Sequence, residues 1–119
     1  MIESSEQLEQ LIVEELDHFQ IVSKDFLRPY LVRPTLHSLK WGYSSEPVSY
    51  PSWLVADLQR KDLGIFYSDY GHGTHDHWGV INISVKDFGM DDGWFLSLED
   101  AIVNSGCWTG QLPEDYEIK

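Results

Sequence analysis

The sequence predicts an α+β fold: one domain over residues 1–119, an antiparallel sheet (a meander of about three to five strands) with an N-terminal and a C-terminal helix packed on one face. Three observations carry this. Residues 5–19 repeat their apolar positions at helical spacing, residues 63–85 hold two alternating runs around a glycine-rich break, and a capped helix start stands at Ser97.

In the first segment Leu8, Leu11, Ile12, Leu16 and Phe19 fall on one stripe, while Glu6, Glu9, Glu14, Glu15 and Asp17 lie mostly off it. Ser4 followed by Gln7 is a capping-box start, and the early acids suit the positive end of the helix dipole. Asp25, Phe26 and Leu27 allow one helical turn before Pro29, which disfavours helix in the residue before it. Pro34, Pro47 and Pro51 punctuate the next stretch, so residues 28–52 are expected as loop and extended chain, with a short edge strand between Arg33 and Tyr43.

Ser52 to Gln59 reads as a strand, Arg60-Lys61-Asp62 as a polar turn, and Leu63 to Tyr70 as the next strand. There Leu63, Ile65 and Tyr67 alternate with Gly64, Phe66 and Ser68. After the break, Ile81, Ile83 and Val85 alternate with Asn82 and Ser84. The hairpin of residues 63–85 is expected in the middle of the sheet. Residues 86–94 read as an acidic, glycine-bearing loop. Ser97 then caps the last helix, with Glu99 and Asp100 in its first turn, Leu98, Ala101 and Ile102 on its buried face, and Gly106 as its stop. Trp108 and Leu112 anchor the tail.

Composition narrows the class of function. Hydrophobic residues make up 42% and aromatic residues 13%, enough for an ordered core without metal or disulfide staples. The single cysteine, Cys107, forms no internal disulfide. No apolar run is long enough to span a membrane, and the start MIESSEQLEQ has neither the basic nor the apolar part of a signal peptide, so a cytoplasmic location is expected.

Charge is the strongest global feature. The formal net charge is −12, with nine acids against five bases in residues 1–60 and eleven against three in residues 61–119. Such a surface repels nucleic acid and anionic lipid, and it attracts basic protein partners; the same charge also serves solubility.

Residues 71–77 concentrate the side-chain chemistry. Gly71-His72-Gly73-Thr74-His75 is similar to the motif around the catalytic histidine of subtilisin-like serine proteases. Here the segment runs into a strand rather than a helix, and no nucleophile-serine motif comes after it. The alternative chemistry is a metal site, because His72, His75 and His77 are spaced by three and two and neutral imidazoles bind zinc, nickel or copper. Cys107 next to Trp108 reads as a structural thiol, no spacing singles out an acid–base carboxylate pair, and no phosphate-binding glycine pattern occurs. The expectation is therefore a non-enzyme without a cofactor.

The remaining constellation is acidic and aromatic. Asp69, Tyr70 and Asp76 surround the histidine loop, and Asp91, Asp92 and Trp94 lie in the next one. Phe66, Tyr70, Trp78 and Asn82 are candidates for presentation on a side of the sheet that no helix covers. Rigid rings ringed by carboxylates suit a protein interface with a cationic partner. In size, acidity, want of a catalytic kit and α+β pattern the chain resembles the small immunity proteins of bacterial contact-dependent growth inhibition and related polymorphic toxin systems. That resemblance implies a cytoplasmic protein that binds a cognate toxin domain, often a basic nuclease, and occludes its active site. Asp69, Tyr70, Asp76, Asp91, Asp92 and Trp94 are the expected partner-binding residues.

Overall fold

The computed structural model describes residues 2–41, 49–69, 76–84, 87–88, 93–111 and 114, with 40–41, 49–50 and 87–88 described by their backbone. Its elements in chain order are α1 (Ser5–Asp17), α2 (Lys24–Leu27), a 3₁₀ turn (Arg28–Tyr30), β1 (Leu31–Trp41), β2 (Ser49–Asp57), β3 (Leu63–Tyr67), β4 (Trp78–Asn82), β5 (Asp87–Phe88), β6 (Gly93–Phe95) and α3 (Leu98–Val103). The sheet order is β5-β1-β2-β3-β4-β6. Five strands are antiparallel neighbours, and β5 adds to β1 in parallel.

The starts of α1 and α3 are set by local chemistry. The Ser4 hydroxyl accepts from Gln7 N at 3.3 Å, and the Gln7 side chain in return accepts from Glu3 N at 2.7 Å. The Ser97 hydroxyl accepts from Asp100 N at 3.1 Å. α1 presents Leu8 and Ile12 to the sheet, and α3 presents Leu98, Ala101 and Ile102. Together with Val22 and Leu27 they cover Val55, Ala56, Ile65, Tyr67 and Trp78.

Two expectations about the strands are corrected. The strand expected between Arg33 and Tyr43 is present as β1, Leu31–Trp41, but it is neither short nor an edge along its whole length: it is the longest strand described, and β5 pairs with its end. Pro34 is accommodated where the β1–β2 register shifts between Leu31 and Thr35, so its missing N–H costs no regular ladder bond. Pro51 lies beyond the last β2–β3 pair, Trp53↔Tyr67, where one side of β2 is already an edge. Nor is the stretch from 86 to 94 simply a loop, since it supplies β5 and begins β6.

The path from β4 to β5 bends the sheet. If the sheet were flat, Asn82 and the partner of Lys40 would lie at opposite corners, roughly 30 Å apart at standard strand spacing and rise. The five residues from 82 to 87 reach only about 17 Å. The outer part of the β1–β2 hairpin must therefore curl over the face away from the helices, and the register shifts at Leu31/Thr35 and Leu54/Ala56 supply the bend. A second small core forms inside the curl from Leu39, Phe66, Ile81 and Trp94, flanked by Leu54 and Ile83.

Between β2 and β3 the Arg60 carbonyl accepts from Leu63 N at 2.9 Å, with Lys61 and Asp62 at φ of 53° and 60°. Positive φ at both central residues is the hairpin-compatible mirror turn, whose twist matches the strands. The β3–β4 hairpin is closed by Ser68 N donating to the His77 carbonyl at 2.9 Å.

Candidate partner-binding surface

The acids of this chain divide by what their carboxylates do. Among the described residues, Glu15, Asp62, Asp69 and Glu99 join parts of the chain far apart in sequence. One oxygen of Glu99 accepts from three consecutive backbone N–H groups, Gln20, Ile21 and Val22, at 2.9, 2.8 and 3.0 Å. Glu15 on α1 accepts from Leu98 N at 2.8 Å, which ties α1 to the start of α3 from the other side. Asp62 accepts from both the backbone N–H and the hydroxyl of Ser84, and these bonds hold its carboxyl below the usual range. Asp69 accepts from Ile2 N at 3.1 Å and from the Tyr67 hydroxyl at 3.2 Å. Burial, then the Asp69 charge and that hydrogen bond, push the Tyr67 phenol up to about 12.

The second group of acids is free of such duties and lies on α1 and just before it. Glu3, Glu6, Glu9, Glu14 and Asp17 are exposed, and residues 2–23 contain no Lys or Arg. Among the described residues the ion pairs are Lys24–Asp17 at 3.8 Å and Arg28–Asp25 at 3.4 Å, both on the surface. Surface pairs of this kind add little stability, and the first gives Asp17 an ion-pair partner that Glu3, Glu6, Glu9 and Glu14 lack among the described residues.

Beside this acidic face runs a groove of about 560 Å³ between α1 and the start of β1, lined by Glu6, Glu9, Ile12 and Val13 from the helix and Leu31, Val32, Arg33 and Pro34 from the strand. Val13 is 52% exposed, and Leu36, farther along β1, is 55% exposed. Leu36 faces Trp53 across the β1–β2 ladder, so it belongs to the helix-side face. The Glu6 carboxyl is held below the usual range by its own backbone N–H, with the Ser5 and Ser4 hydroxyls and Arg33 contributing.

The residues singled out from sequence fare differently. Asp69 is engaged internally, as above. Trp94 is only 7% exposed, and its ring lies in the second core over Gly79, where an added Cβ would stand 2.8 Å from the indole. Asp76 is half-buried at the end of the hairpin loop. Tyr70, Asp91 and Asp92 lie outside the described residues. Phe66 and Trp78 are not presented on an open side of the sheet: both are buried, and they face opposite cores. Of the histidines, His72 and His75 lie outside the described residues. His77 Nδ1 donates to the Ser68 carbonyl at 2.9 Å, and its ring tilts against Tyr67. No group of three or more metal-binding side chains gathers among the described residues. Among those residues, too, no helix is long and apolar enough to cross a membrane.

The groove went unread in the sequence, although a signal was present. Val13 stands among Glu9, Gln10, Glu14 and Asp17, off the Leu8–Ile12 stripe, where a helix that only needed solubility has no use for a β-branched apolar residue. No protein-family model, no curated protein and no solved structure matches the chain.

Proposed function

We propose that this chain is an immunity-type inhibitor: an acidic protein, itself performing no reaction, that binds a cationic toxin domain and covers its active site. The observation that carries the reading is the acidic face of α1: Glu3, Glu6, Glu9 and Glu14 are exposed and make no ion pair among the described residues, in a stretch, residues 2–23, that has no Lys or Arg. Carboxylates of this kind take the place of substrate phosphates against the Lys and Arg of a nuclease-type partner. They mainly raise the rate of encounter, while apolar contacts beside them slow dissociation. Asp76, Tyr70, Asp91 and Asp92 remain the competing candidates from the sequence, of which the described residues include Asp76.

The test is growth rescue with the open reading frame encoded next to this one. Its product is expected to arrest growth alone, and co-expression of this chain to restore it through a complex that salt weakens. Reversing Glu6, Glu9 and Glu14 together to Lys should lower the association rate at low salt by about tenfold or more. Reversing Asp91 and Asp92 should do less. Undiminished rescue and an unchanged association rate in the α1 variant would remove the basis of the proposal.

A further inference from the structure

Resting on that reading, we infer that the groove between α1 and β1 seats one apolar side chain of the cationic partner, presented on a helical segment whose flanking Lys or Arg residues reach Glu6 and Glu9. The floor and the rim differ in chemistry. Ile12, Val13, Leu31, Val32 and Pro34 offer hydrocarbon, and the two glutamates stand at its edge.

The spacing of the rim selects the occupant. Glu6 and Glu9 are three residues apart on α1, about 4.5 Å in rise along one face. Basic residues three apart on a partner helix repeat that spacing, whereas successive same-face residues of an extended strand lie roughly 6.6 Å apart. Val13 stands one turn beyond Glu9 on α1, so an apolar residue one turn beyond the pair of bases, on the same face of the partner helix, meets it, and Leu36 extends the apolar strip along β1. Charge excludes other occupants. A second copy of this chain brings another net −12, and nucleic acid brings phosphates to a carboxylate rim. Among the described residues of the groove wall Arg33 is the base; it competes with the partner's bases for Glu6.

The test compares two fluorescein-labelled helical peptides of equal charge at low salt by anisotropy. One carries Lys at i and i+3 with Leu one turn farther along the same face; in the other every Leu is Gln. Burial of one leucine-sized side chain makes the Leu peptide bind about tenfold tighter or more. Val13→Asn should abolish that preference while leaving the Gln peptide unaffected; Val13 is exposed, so this variant keeps its fold. Glu6→Gln with Glu9→Gln should weaken both peptides, and Arg33→Ala should tighten both. Equal affinity for the two peptides, or a preference that survives Val13→Asn, overturns the groove and leaves the cationic-partner reading standing. Binding of neither peptide overturns both.

Discussion

Glu99→Ala is the substitution whose cost the structure sets most directly. A single carboxylate oxygen gathers the N–H groups of Gln20, Ile21 and Val22, and so pins the segment after α1 onto the first turn of α3. Removing it leaves three donors without an acceptor. Water can reach the Gln20 group, which is exposed; the bonds from Ile21 and Val22 are partly buried. Counting those two at the lower end for bonds to a charged acceptor, the loss is about 3 kcal/mol. A chain of this size has roughly 6–18 kcal/mol in total, so the change should be plain in urea unfolding followed by tryptophan fluorescence. In thermal unfolding it corresponds to a fall of roughly 10 °C. Glu99→Gln keeps an oxygen acceptor without the charge, and should recover about half the loss. Hydrogen exchange at the Ile21 and Val22 amides adds a local readout. A Glu99→Ala protein that loses less than about 1 kcal/mol, with both amides still protected, would refute the assignment of this carboxylate as the clasp between the two helices.

The exposed Asp62 carboxyl and the buried Tyr67 phenol give two pH dependences. Asp62 has its folded-state pKa lowered by Ser84, so its contribution to stability is complete above the ordinary carboxylate value of about 4 and is lost as pH falls through the lower folded value. Asp62→Asn should therefore flatten the acid side of a Tm-against-pH curve, and an unchanged acid side would show the bonds to Ser84 contribute nothing. Tyr67 behaves in the opposite range. Its phenol is pushed up to about 12, so the folded state holds a proton that the unfolded chain releases near 10. Stability should be undiminished below that pH and decline as pH rises to 12, and Tyr67→Phe should remove the decline; absorbance of tyrosinate checks the titration itself.

How much of this could be read from the sequence depended on the range of the interaction. α1 and α3 were legible because their caps are contacts over three residues, Ser4 to Gln7 and Ser97 to Asp100. The β2–β3–β4 meander was legible because alternation and a short turn are local too. β1 was legible between Arg33 and Tyr43 but not in its full length, because a proline inside a strand is a breaking signal unless the partner strand slips its register, and that slip is a property of the pair. β5 and β6, two and three residues long, exist only through strands elsewhere in the chain. Phe66 and Trp94 had the composition of interface anchors and became core, because the sheet curls over the face left by the helices. Asp69 and Glu99 were equally opaque: their donors Ile2 and Gln20 to Val22 stand 67 and 77 to 79 residues away.

That division also decides how charge reversal must be interpreted. Net charge treats every carboxylate alike, yet Glu15, Asp62, Asp69 and Glu99 accept backbone N–H groups at fixed geometry, whereas Glu3, Glu6, Glu9 and Glu14 make no ion pair among the described residues. Salt screens charges that meet a partner through solvent, and it acts much less on a short hydrogen bond within the fold. A lysine at Glu99 would abolish binding by detaching α3 from the end of α1, and would mimic an interface residue in any assay of the complex alone. A lysine at Glu9 changes the field in front of the groove with the fold intact. Only a loss of association that salt reproduces in the native chain, at unchanged thermal stability of the variant, identifies a carboxylate that faces the partner.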